Sequence, residues 1–140
     1  MDKKAVLALI GRIHSKANEY ITQELEKRGI RGLVVSHGEI LVNLYRYQRL
    51  SMKELAGKID KRKNTLTVLV EKLIEFDYVE KTPSPEDGRF FYITLTEKGR
   101  LFQKDFEEIS TNVYSLIYTG FSEADQEKLM ELLEKMYKNL

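Results

Sequence analysis

Residues 51–99 read SMKELAGKIDKRKNTLTVLVEKLIEFDYVEKTPSPEDGRFFYITLTEKG, and the order of elements in this stretch decides the architecture. Ser51 and Glu54 predict a helix start, because the hydroxyl and the carboxylate can each satisfy a free backbone N–H of the first turn. Leu55, Ala56 and Ile59 then share one face. Asp60 is the candidate N-cap of a second helix that carries Lys61, Arg62, Lys63, Asn64, Thr65 and Thr67 in its first two turns. Its other face is apolar, with Leu66, Leu69, Val70, Leu73 and Ile74. Tyr78–Thr82 and Phe90–Thr94 are rich in β-branched and aromatic residues, and the turn formers Pro83, Pro85, Asp87 and Gly88 lie between them, which predicts a β-hairpin.

Helix, short turn, basic helix and hairpin, in that order, are the layout of a winged helix-turn-helix. The expectation is therefore sequence-specific binding of double-stranded DNA. The second helix would pack its apolar face on the first and send its N-terminal polar residues to base edges and phosphates in the major groove. A basic face is by itself as often a merely solvated one; the hairpin tips the balance. Arg89 stands at the base of the hairpin loop, where a guanidinium can enter a narrow minor groove, and Asp87 is placed to hold it. The plain alternative for that pair is a surface ion pair worth under about 1 kcal/mol.

Asp87-Gly88-Arg89 followed by Leu95-Thr96-Glu97-Lys98-Gly99 resembles the wing and helix start of the MarR family of transcription regulators, whose signature is D-x-R, five residues, L-T-x-x-G. The likeness extends through Ser51-Met-Lys-Glu-Leu-Ala56, Thr65-Leu-Thr67 and Leu73 to Val79, and the length and flanking helices fit. It implies that the helix from Lys61 to Phe76 enters the major groove and that Arg89, braced by Asp87, contacts the minor groove. One position departs from the pattern. Many members carry arginine directly after the threonine corresponding to Thr67, and here Val68 stands there, so charge must come from Lys61, Arg62 and Lys63. The groove-facing set is expected to be Lys61, Lys63, Asn64, Thr65 and Thr67.

At 140 residues and 42% apolar composition the chain has the size of one domain with a modest core. Apolar runs fall well short of the roughly 20 residues of a membrane span, and no compact apolar signal segment opens the chain, so the expected location is the cytoplasm, with no membrane partner. With no cysteine, disulfides, thiolate zinc sites and thiol redox sensing are excluded. The net charge of only +1 hides a polarity. Residues 51–72 carry six basic and three acidic side chains, a net of +3, whereas 101–140 carry four and eight, a net of −4. Local charge decides where phosphates dock.

Both ends of the chain read as long amphipathic helices. Val6, Ile10, Ile13, Ala17, Tyr20, Ile21 and Leu25 recur at helical spacing up to Gly29. Thr96 caps a helix bearing Phe102, Phe106, Ile109, Val113, Leu116 and Ile117, and Ser122 caps another bearing Leu129, Leu132, Leu133, Met136, Tyr137 and Leu140. Such stripes must be buried, within one chain or against a second copy. A two-fold dimer built from both ends is the favoured reading, and the resemblance implies the same. The expected fold is thus mainly α with a small β-hairpin wing. It is one MarR-like domain over 1–140, with a winged helix-turn-helix at about 33–95 and helical dimerisation regions at 1–30 and 96–140. Two recognition helices about one DNA turn apart predict a pseudo-palindromic operator. Ser36-His37-Gly38-Glu39 is a further predicted capping box, opening the helix with Ile40, Leu41, Leu44 and Tyr45.

No nucleotide-binding loop, nucleophile elbow or metalloprotease motif is present, so an enzyme is not expected, nor a cofactor. His14 and His37 are the only histidines and lie on different predicted helices, which argues for solvated or capping roles and against a metal site. Family resemblance implies a small aromatic or anionic effector in a crevice between the dimer helices and the winged domain, which here involves His14, Tyr45, Phe102 and Phe106; packing is the alternative for each. The expected function is a DNA-binding transcription regulator, a repressor released by such a ligand. The alternatives are a nonspecific architectural DNA binder and a winged-helix protein-interaction module.

Overall fold

Capping chemistry sets most helix boundaries in the computed structural model, which describes residues 1–140. After a single 3-10 turn at Lys3–Ala5 the chain runs α1 (Val6–Lys27), α2 (Val35–Tyr47), β1 (Arg49–Ser51), α3 (Met52–Ile59) and α4 (Lys63–Glu75). It continues through β2 (Val79–Pro83), β3 (Phe91–Leu95), α5 (Glu97–Leu101), α6 (Gln103–Ile117) and α7 (Glu123–Lys138). The fold is mainly helical with one small antiparallel sheet, a winged helix-turn-helix with helices on both flanks. No helix is long and apolar enough to cross a membrane.

Three predicted caps are present. The Ser51 hydroxyl accepts from the Glu54 N–H at 3.1 Å while Glu54 accepts from the Ser51 N–H at 3.0 Å. Ser122 and Asp125 do the same for α7, and Thr96 accepts from the Gly99 N–H at 3.0 Å. Two others are corrected. Asp60 does not cap α4; it ends α3 in the left-handed conformation, φ 50°, with its carboxylate taking a bond from the Tyr137 hydroxyl of α7. The first turn of α4 instead follows an extended Arg62 and has no side-chain cap. Ser36 does not cap α2 either. That helix begins two residues earlier, after Val34, because His37 Nδ1 accepts from the Val34 N–H at 3.0 Å and Asn18 of α1 accepts from the Val35 N–H at 3.0 Å.

Two helices close with six-to-one turns. After α1, Gly29 at φ 77° lets its N–H reach Glu26 O and the Ile30 N–H reach Leu25 O. Asp77 at φ 65° does the same after α4, with its N–H on Ile74 O and the Tyr78 N–H on Leu73 O. Glycine adopts this conformation without a Cβ penalty. Asp77→Gly is therefore expected to raise stability by about 0.5 kcal/mol, the relieved conformation outweighing the extra unfolded-chain entropy; urea unfolding of the two proteins measures it.

The sheet has the order β1-β3-β2, all antiparallel, with Leu50 opposite Ile93 and Lys81 also opposite Ile93. The predicted hairpin is present with each strand one residue later than its expected start. The third strand, β1, is new. Ile40, Leu44, Leu55, Leu66, Leu73 and Ile93 are completely buried and form the centre of the core, joining α2, α3, α4 and the sheet. Arg28 at the end of α1 ties that helix to α6 through Asp105 (2.5 Å) and Glu108 (2.7 Å). Outside this core lies much apolar surface: Leu7 and Leu9 on α1, Leu116 on α6 and Met130 on α7 are exposed, and α7 buries no residue.

Candidate nucleic-acid interface

On α4 the buried row is Leu66, Val70 and Leu73, and it holds the helix against the core. Lys63, Asn64, Thr65 and Val68 are exposed on the remaining surface, and Arg62 is exposed just ahead of the helix. Lys61 and Thr67 are half-buried, and the Thr67 hydroxyl donates to Lys63 O at 2.8 Å, a bond back into its own helix. Of the six residues at this end of α4 expected to bind DNA, Arg62, Lys63, Asn64 and Thr65 are thus the freest. The uncapped first turn of α4 lies beside them. Unpaired N–H groups with adjacent basic side chains form a ready site for a phosphate.

The wing presents Arg89, which is 87% exposed, while Asp87 is mostly covered. Their pairing is bidentate, with Arg89 Nε on Oδ1 at 3.1 Å and Nη2 on Oδ2 at 2.9 Å, and the Arg89 N–H also reaches Oδ1 at 3.0 Å. The side-chain bonds from Arg89, then its backbone N–H, hold the Asp87 carboxyl below the usual carboxylate range. A forked, planar contact of this kind fixes a direction that a single ion contact does not.

Sequence reasoning missed the residue that shapes the wing. Ser84 is buried; its hydroxyl accepts from the Glu86 and Asp87 N–H groups at 3.3 Å, and its own N–H donates to Phe90 O at 2.9 Å. Its signal was a hydroxyl residue between two prolines, a turn-forming context.

A second concavity lies between α1, α2 and α6. Its volume is about 560 Å³, within the range of small-molecule sites, and its wall is mostly apolar. Phe102 and Phe106 line it, with Ile21, Leu41 and Val113. His14 and Tyr45 do not. His14 sits on the exposed part of α1, within 3.4 Å of Asn18, two turns before the part of that helix that reaches the cavity. Tyr45 turns its hydroxyl to Gly99 O at 2.8 Å and packs its ring on Phe106, so it supports the wall from behind. The histidine in the wall is His37, which is buried, with Nδ1 committed to Val34 and Nε2 without a partner. Burial, and then the charge of Lys72, push its pKa down to about 4.

A sequence profile described as MarR family matches residues 35–90, the segment from α2 to the wing. The transcriptional repressor IacR of Pseudomonas putida is 26% identical over 131 residues, covering 94% of this chain and 77% of IacR. Among solved structures, a MarR protein from Peptoclostridium difficile superimposes with a TM-score of 0.83 at 21% identity, covering 99% of this chain and 89% of that one. A mutant of Escherichia coli MarR complexed with operator DNA gives a TM-score of 0.78 at 18% identity, covering 97% of this chain and 99% of that one. These likenesses show the fold, and the profile falls on the same helices and wing that carry the exposed polar face. The segment from α2 to the wing thus matches the MarR family model, and the whole chain shares the winged-helix fold of solved MarR proteins.

Proposed function

We propose that the protein is a homodimeric repressor that binds a pseudo-palindromic operator through two copies of one reading head, residues 33–95. The observation that carries this reading is the placement of a clamped, outward Arg89 and the exposed polar end of α4 on the same small sheet-and-helix core. In each head α4 lies in the major groove, with Asn64 and Thr65 at base edges and Lys61, Arg62 and Lys63 at phosphates. Arg89 reaches the adjacent minor groove, oriented by Asp87. Thr67 steadies the first turn of α4 through Lys63 O.

Dimerisation through residues 1–30 and 96–140 is supported by the apolar surface that the single chain leaves uncovered on α1, α6 and α7. The acidic character of 101–140 keeps that region away from phosphates, which favours the ends as the assembly surface. The cavity between α1, α2 and α6 is the place for a releasing ligand of small, aromatic or anionic character, with Phe102 and Phe106 available to cover a ring.

The test is selection of genomic fragments with purified protein at physiological salt, then titration of the best fragment against a scrambled one. A regulator should prefer its operator by about 4 to 10 kcal/mol, whereas an architectural binder would discriminate little and a protein-interaction module would show no salt-dependent DNA binding. Arg89→Ala is expected to weaken operator binding by about 1 to 3 kcal/mol with fold and dimer intact. Full affinity in that variant removes the wing from the interface.

A further inference from the structure

The exposed face of α4 contains one residue whose chemistry the groove-reading scheme does not use. Val68 is 65% exposed and belongs neither to the core nor to the partly buried shell packed on it. At about 100° per residue it lies nearly opposite the buried row of Leu66, Val70 and Leu73, at the centre of the outward face. Asn64 is one turn before it on the same face and Thr65 is beside that.

Single exposed apolar residues are common and by themselves mean nothing. Position and company give this one meaning. In the first two turns of α4 the outward face, at residues 64, 65 and 68, carries only short side chains; the long basic ones precede it at 61–63, and Glu71 and Lys72 follow one turn later. A face of short side chains lets the helix axis come close to base edges. Valine in a helix is held in essentially one rotamer, so its two methyl groups are presented in a fixed direction at little entropic cost. In the major groove the base edges offer hydrogen-bonding groups at every pair and only one apolar group, the C5-methyl of thymine.

We infer that Val68 reads the C5-methyl group of a thymine in each operator half-site, next to the bases reached by Asn64 and Thr65. This rests on α4 lying in the major groove. Val68 thereby supplies discrimination for an A·T pair by methyl contact, where a charged residue would contribute attraction to phosphate or guanine.

The experiment uses the full-length protein and the best duplex from the genomic selection. Each thymine of the half-site is replaced in turn, symmetrically, by deoxyuridine, which removes only the methyl group. One position is expected to weaken binding by about 4-fold per half-site, the worth of one buried methyl. Val68→Ala should bind the thymine and uracil duplexes equally, with unchanged thermal stability. Two results overturn the inference while leaving groove reading in place: every thymine tolerating uracil although Arg89→Ala and Asn64→Ala still weaken binding, or a uracil penalty that persists in Val68→Ala. Indifference to Arg89→Ala and Asn64→Ala as well overturns the groove reading itself, and the Val68 contact with it.

Discussion

Gly99→Ala is expected to destabilise the protein by about 3 kcal/mol or more, a cost at or above the upper end for overpacking because the obstacle is backbone. A Cβ at this position would lie 2.1 Å from Tyr78 O, 3.1 Å from Tyr78 C and 3.2 Å from Leu95 Cδ2. Tyr78 O has little room to move. It accepts from the Thr96 N–H at 3.1 Å, while the Tyr78 N–H closes the end of α4 on Leu73 O at 2.9 Å. Gly99 is itself held by Thr96 on its N–H and by the Tyr45 hydroxyl on its carbonyl. Relief of the clash must therefore displace α5 from the sheet or open the end of α4. Gly57→Ala is the matched control. Nothing lies within 4 Å of a Cβ there, inside α3, so alanine should stabilise by up to about 1 kcal/mol through helix propensity. Urea unfolding of both variants checks the pair; equal stabilities would mean that α5 shifts freely on the sheet.

The second large effect is one of pH. Folded, His37 resists protonation down to about 4, while its unfolded value is 6.5. Between these values the unfolded chain binds more protons, so stability rises with pH across that window. The contribution is fully present above about pH 6.5 and is lost as pH falls toward 4, amounting to about 3 kcal/mol. The structural reason is specific. A protonated ring has no lone pair for the Val34 N–H, so acid removes the acceptor that starts α2 and places a charge in the core near Lys72. His37→Gln keeps an acceptor at the third helical position without titrating. Measured in urea at pH 7 and at pH 4.5, wild type should lose more stability than His37→Gln by most of that amount. Equal losses in both proteins would show that the ring carries no part of the acid sensitivity.

Legibility from sequence followed the distance between partners. Ser51 with Glu54, Ser122 with Asp125 and Thr96 with Gly99 are each three residues apart, so residue type alone places the cap. Asp60 and Ser36 have the right chemistry for the same role and do not play it. Distant residues share in settling those helix ends: Asn18 takes the Val35 N–H beside the local His37–Val34 bond, and Tyr137 engages Asp60. The strand β1 has only Leu50 as an apolar signal and exists because β3 offers it an edge.

The candidate interface divides in the same way. Asp87 and Arg89 are two residues apart and the α4 face lies within one helix, so both were readable as local patterns. The cavity joins three helices from opposite halves of the chain. Phe102 and Phe106 were readable as a helical aromatic pair, but a choice between His14 and His37 required knowing which part of α1 turns inward.

The strand β1 is three residues long, yet it ties together the parts of the winged region. It joins α2 to α3 by backbone and pairs with β3, which in turn carries β2 and leads the wing back to Arg89. The wing is therefore not a pendant arm but a lever welded to the frame that bears α4. Its strands and α4 are packed on one core. Under the proposed groove reading, a signal arriving at such a head swings both contacts together, so occupancy of the two grooves rises and falls as a single variable.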